Sequence, residues 1–161
     1  MEQHNDTVVV AKEGFRAVGL KWEGTFAEAG AGGIRRIHEK LRARMKEIPE
    51  PVSTTHFYGL SYHAYPGGEG FTHYAVIETT DGTGYVPEGM VAVEVPTLNY
   101  AKCEHAKGGS IDTSYRNIYK WIEDRGYSVF QGELTHFEIY SLSRDPYDPD
   151  PEFTIMIPIQ R

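Results

Sequence analysis

The chain has 161 residues, a formal net charge of −7 and one cysteine. That length suits a single domain able to bury on the order of 70% of the surface its unfolded form exposes, so neither a disulfide nor a metal is required to hold it. The acidic balance disfavours a nucleic-acid surface as the main task. No apolar run reaches membrane-spanning length, and Met1 to Val10 lacks the features of a signal peptide, which makes a soluble cytoplasmic protein the expectation. In chain order, Phe15 to Trp22 alternates as a strand does. After the small-residue stretch Ala27 to Gly33, apolar residues at Ile34, Ile37, Leu41, Met45 and Ile48 predict a helix ended by Pro49. His56 to Tyr62 and Phe71 to Glu78 read as strands, with Tyr65-Pro66-Gly67-Gly68 as the turn between them and Asp81 to Gly89 as a linker. Met90 to Val95 and Leu98 to His105 alternate again around Pro96.

A second helix is predicted from Ser110 or Asp112, through Tyr115, Ile118, Tyr119 and Ile122, to a stop at Gly126. Thr135 to Tyr140 and Thr154 to Ile159 follow as strands, separated by an acidic, proline-rich loop from Arg144 to Glu152. The two halves share one order of elements: strand, glycine-bearing connection, helix, strand, strand. This predicts a single α+β domain over 1–161, built from duplicated β-α-β-β units at about 8–80 and 88–161. Its sheet would be mainly antiparallel, with two long helices on one side and a ligand groove between the halves.

The residue that stands out is Glu138, at the centre of His136-Phe137-Glu138-Ile139-Tyr140. The period of two places His136, Glu138 and Tyr140 on one face, so a carboxylate sits among apolar and aromatic neighbours. Such a group pairs with a cation, accepts hydrogen bonds or takes up a proton, because an unpaired buried charge costs several kcal/mol. Glu138 is therefore a candidate ligand contact or general base.

Several fragments carry a family resemblance: Asn99-Tyr100-Ala101-Lys102, Gly108-Gly109, Tyr119-Lys120-Trp121-Ile122, Phe137-Glu138-Ile139-Tyr140, Asp145-Pro146 and Ile157-Pro158-Ile159. In this order they resemble the gyrase-inhibitory-protein-like small-molecule-binding domain, the effector-binding half of some AraC-type and multidrug-responsive MerR-type regulators. The resemblance implies that Glu138 projects into a pocket between two repeats and complements a cationic, aromatic ligand. Candidate walls are Trp22, Tyr62, Tyr74, Tyr115, His136 and Tyr140, whose rings would supply stacking and cation-π contacts worth roughly 0.5–2 kcal/mol each. It also implies an alternative, since some stand-alone relatives hydrolyse electrophilic ring compounds with a glutamate and a tyrosine. Here these would be Glu138 as base and Tyr62 as hydrogen-bond donor.

The pattern runs from about Phe15 to Arg161, which leaves no expected place for a helix-turn-helix module. The partner expected is thus a small molecule, with no direct nucleic acid and no membrane, and with a protein partner or a second copy left open. The basic residues Arg35, Arg36, Lys40, Arg42, Arg44 and Lys46 read as the solvated face of the first helix. No cofactor is expected and no metal: the histidines show no ligand spacing, and the glycines at 30, 32 and 33 lack a phosphate-loop ending.

Overall fold

The computed structural model describes residues 3–160 other than Pro66, Asp81, Arg144, Pro146 and Tyr147. The expected Tyr65-Pro66 turn, the start of the linker at Asp81 and the Asp145-Pro146 portion of the acidic loop therefore fall partly outside the described residues. Among the described residues nine strands form one sheet: β1 (Val8–Lys12), β2 (Phe15–Thr25), β3 (His56–Tyr62), β4 (Gly70–Thr79), β5 (Val91–Val95), β6 (Leu98–His105), β7 (Ser128–Val129), β8 (Leu134–Ser141) and β9 (Phe153–Gln160). Their order is β1-β6-β9-β8-β3-β4-β2-β5, with β7 joined to β9, and each pairing is antiparallel. The order is symmetric about the central β8–β3 pair. On each side of it lie the strand that follows the central one in sequence (β9 or β4), a strand that precedes a main helix (β6 or β2), and a short edge strand (β1 or β5).

Two main helices, α2 (Ile34–Arg44) and α3 (Ile111–Asp124), lie on one face of this sheet. Leu41 of α2 packs on Val18, Leu20, Ala75 and Ile77, while Ile118 and Ile122 of α3 pack on Ala101, Cys103, Ile155 and Ile157. α3 starts where Ser110 Oγ accepts the backbone N–H of Thr113 at 3.2 Å, and stops before Gly126, whose φ of 80° suits a residue without Cβ. The opposite face holds a third core around Leu60, Val76, Tyr100, Phe137 and Met156. The fold is thus α+β, with an antiparallel sheet and its helices on one side.

Two details differ from the sequence reading. Val8, Val9 and Val10 form an edge strand paired with β6, although the run does not alternate and two of its valines are exposed. The stretch after β2 is helical rather than an open connection: a short α1 (Phe26–Glu28) leads into a π-type turn (Ala29–Gly33). Thr25 and Glu28 form a reciprocal cap, Thr25 Oγ1 accepting from the Glu28 N–H at 3.0 Å and Glu28 Oε1 accepting from the Thr25 N–H at 2.9 Å. Gly32 then breaks the helical path at a φ of 116°.

Candidate functional site

Each helix covers the strands of its own half, and the central β8–β3 seam is left between them. Glu138 lies on that seam, directly opposite Gly59 of β3, with His136 opposite Ser61 and Tyr140 opposite Phe57. The absence of a side chain at position 59 makes the room. A Cβ there would come within 2.9 Å of the His73 ring and 3.2 Å of the Tyr140 ring.

Above the seam is a cleft of about 460 Å³. One wall is the small-residue segment Ala29 to Gly32 with Ile34 and His38; the other is Ile111 at the start of α3 with Pro151 and Phe153. Glu138 and Tyr140 line it, and Arg35 and Asp148 stand at its margin. Glu138 is half-buried, enclosed by protein except toward the cleft. Its carboxylate accepts hydrogen bonds from the hydroxyls of Tyr115 on α3 and, at 2.7 Å, Tyr140. Among the described residues no cationic side chain lies within ion-pair distance of it. Desolvation raises the Glu138 pKa above the ordinary 4.5, and the two tyrosine bonds oppose that rise without cancelling it.

Tyr140 is held on three sides, stacked between Phe57 at 5.3 Å and Phe153 at 5.2 Å, with the His38 ring 4.8 Å away. Its hydroxyl pKa is pushed well up by burial, as is that of Tyr115, so both remain donors to Glu138. His38 continues into the protein through a chain of short contacts. Its Nε2 lies 2.9 Å from Nε2 of His73, and the His73 Nδ1 lies 2.9 Å from Ser61 Oγ. Burial drives His38 down to about 3, with Arg42 adding to the effect, and His73 well below its usual value, so both imidazoles are neutral.

The structure brings together Glu138, Tyr140 and Tyr115, with His136 beside them. His136 faces Tyr115 edge-on at 5.4 Å and shares a 2.7 Å hydrogen bond with the Tyr119 hydroxyl, and burial lowers its pKa to about 4. Trp22, Tyr62 and Tyr74 are placed elsewhere. Trp22 packs on Phe71 at 5.4 Å and beneath Gly33, where it props the π-type turn rather than lining the cleft. Tyr62 and Tyr74 pack against each other at 5.3 Å and belong to the core on the face away from the helices. Tyr62 therefore cannot serve as the donor partner of Glu138, because the sheet itself separates them: residue 62 falls on the other side of β3 from residues 59 and 61.

Residues that sequence reading passed over are His38, His73, Phe57 and Phe153. His38 fits the spacing of the α2 apolar stripe, and His73 alternates with Phe71 and Ala75 on β4. A polar residue at a core position of a periodic pattern was the available signal.

Comparisons with known proteins place the chain among relatives of the same fold. Residues 6–160 match the GyrI-like small molecule binding domain. The transcriptional regulator BrlR of Pseudomonas aeruginosa is 32% identical over 155 residues, covering 94% of this chain and 54% of that protein, so the chain spans about half the length of this relative. The crystal structure of the EcmrR C-terminal domain superposes with a TM-score of 0.72 at 13% identity, covering 99% of both chains. The structure of SAV2435 bound to tetraphenylphosphonium gives a TM-score of 0.68 at 12% identity over 96% of this chain and 94% of that one. With nearly its whole length matched in sequence and in fold, the chain belongs to the GyrI-like small-molecule-binding domain family.

Proposed function

We propose that the cleft binds aromatic cations, with Glu138 as counter-charge, and that the domain serves as an effector-sensing module acting through a regulatory protein partner. The observation that carries the reading is the state of Glu138. It is a desolvated carboxylate with two tyrosine hydroxyls and aromatic rings around it, and no cation within ion-pair distance among the described residues. A delocalised cation entering the cleft would meet the charge on the seam and the face-stacked Tyr140 and Phe153 at its side. The small residues from Ala29 to Gly32 leave room along that wall for bulky aromatic groups. Tetraphenylphosphonium on the related SAV2435 and the regulatory role of BrlR support the same direction.

The test is binding of tetraphenylphosphonium and of neutral triphenylphosphine oxide to wild type and Glu138→Gln, read by thermal shift and calorimetry, with mass spectrometry of the recovered compounds. The expected result is cation binding that collapses in the variant while the neutral compound is held equally by both. Equal losses for both compounds would overturn the reading. Parallel incubation with electrophilic ring compounds tests the alternative class, because ring-opened product formed by wild type alone would make the domain a hydrolase.

A further inference from the structure

A second cleft, of about 550 Å³, opens at the far end of α2, within the roughly 300–1,000 Å³ range of small-molecule sites. Its floor is apolar and part of the first-half core: Ile48 and Ile77 are 3% and 2% exposed, and Met45 and Leu142 pack against the same cluster. Its rim carries two cations four residues apart, Arg42 and Lys46. Arg42 is fixed there by donating Nη2–H to the Leu142 carbonyl at 2.9 Å. Lys46 is exposed and makes no ion pair among the described residues; the neighbouring Glu47 is turned to Arg44, at 2.7 and 2.8 Å. None of the described residues that line the cleft is acidic, and none is aromatic.

This cleft is the chemical opposite of the first. The first has a carboxylate and stacked rings; the second has two cations and flexible or branched aliphatic side chains, in a chain whose net charge is −7. At this rim Lys46 contributes an exposed positive charge and Arg42 a second, hydrogen-bonded one. The described lining residues offer an alkyl chain apolar surface to bury against and offer an aromatic ring no stacking partner. We propose that the cleft at the end of α2 is a separate site for a single-chain amphiphilic anion. Its alkyl chain lies on Met45, Ile48, Ile77 and Leu142, and its head group sits between Arg42 and Lys46.

The test follows the methyl resonances of Met45, Ile48 and Ile77 by NMR while decanoate, decyl sulfate or decyltrimethylammonium is added below its micelle concentration. Variants are Lys46→Glu, at an exposed position, and Thr54→Trp, which fills the cleft from its edge. Both anions are expected to shift these methyls saturably and the ammonium is not. Lys46→Glu should weaken the anions about fivefold at low salt and less at high salt, the effect of reversing one solvent-exposed charge. Thr54→Trp should abolish the shifts, and Glu138→Gln should leave them unchanged, which separates this site from the central one. Unmoved methyls, equal response to anion and cation, or undiminished binding in both Lys46→Glu and Thr54→Trp would overturn the proposal. Binding to decyl sulfate alone would reject a carboxylate head group and keep the anion.

Discussion

Two glutamates, one on each face of the sheet, meet the same demand in different ways. Glu78 of β4, on the side away from the helices, accepts a hydrogen bond from the Tyr58 hydroxyl at 2.8 Å and forms an ion pair with Lys12 Nζ at 2.8 Å. The Lys12 ammonium itself lies over the Phe15 ring at 4.7 Å and near the Tyr58 ring at 5.8 Å. Glu138 has the tyrosine hydroxyls and the aromatic rings, but the corresponding ammonium is not supplied by any described residue. The fold thus contains a completed version of the arrangement, made with its own lysine, and an open version facing a cleft. The difference teaches what the central site lacks: a cation able to sit among rings beside a carboxylate.

The sharpest way to break this comparison is Glu138→Gln. It should weaken an aromatic cation on the order of 100-fold, as expected when one partner of a desolvated charge pair is removed, and the change should be absent for a neutral aromatic. Calorimetric titration of both compounds checks it. Next in size is Gly59→Ala, where the new methyl would press on the His73 and Tyr140 rings. A loss of about 1–3 kcal/mol in urea unfolding is expected, together with weaker cation binding because Tyr140 is displaced.

Lys12→Met converts the completed site into an open one. Both partners retain some solvent contact, so the expected cost is modest, about 1 kcal/mol, and cation binding in the cleft should be unchanged. A drop in cleft binding would show that the two faces are coupled. The smallest effect concerns Arg35, exposed at the cleft margin, whose charge opposes an entering cation across solvent. Arg35→Gln should strengthen cation binding about twofold at low salt and less at high salt, as screening predicts.

Much of this layout is legible in the sequence, for identifiable reasons. The period of two in β8 places Glu138 and Tyr140 together, and the stripe of α3 carries Tyr115 toward them. Alternation alone, however, does not say which face of one strand adjoins which face of the next. Tyr62 and Tyr74 were expected beside Glu138 and lie across the sheet from it, because the register that pairs Gly59 with Glu138 sends residues 58, 60 and 62 the other way. Trp22 was on the right face but at the wrong end, packed on Phe71. The cap of α1 was readable from Thr25 and Glu28 three residues apart, whereas the π-type turn that follows depends on Gly32 and on packing over Trp22. His38 and His73 looked like two more members of apolar patterns, and only the tertiary fold joins them to each other.

The most direct test of the account is the pH dependence of aromatic-cation affinity in wild type and Glu138→Gln. Folding raises the Glu138 pKa above 4.5, so the unliganded carboxyl holds its proton into a higher pH range than an ordinary glutamate. A cation binds the ionised form and must expel that proton. Wild-type affinity should therefore rise by up to about tenfold per pH unit through the acid range, then level once the carboxyl is ionised. The glutamine variant should be weak and flat over the same range, and Tyr115→Phe, which removes one bond that favours the charged form, should shift the wild-type rise to higher pH. An affinity that is independent of pH and equal in wild type and Glu138→Gln would contradict the assignment of Glu138 as the counter-charge.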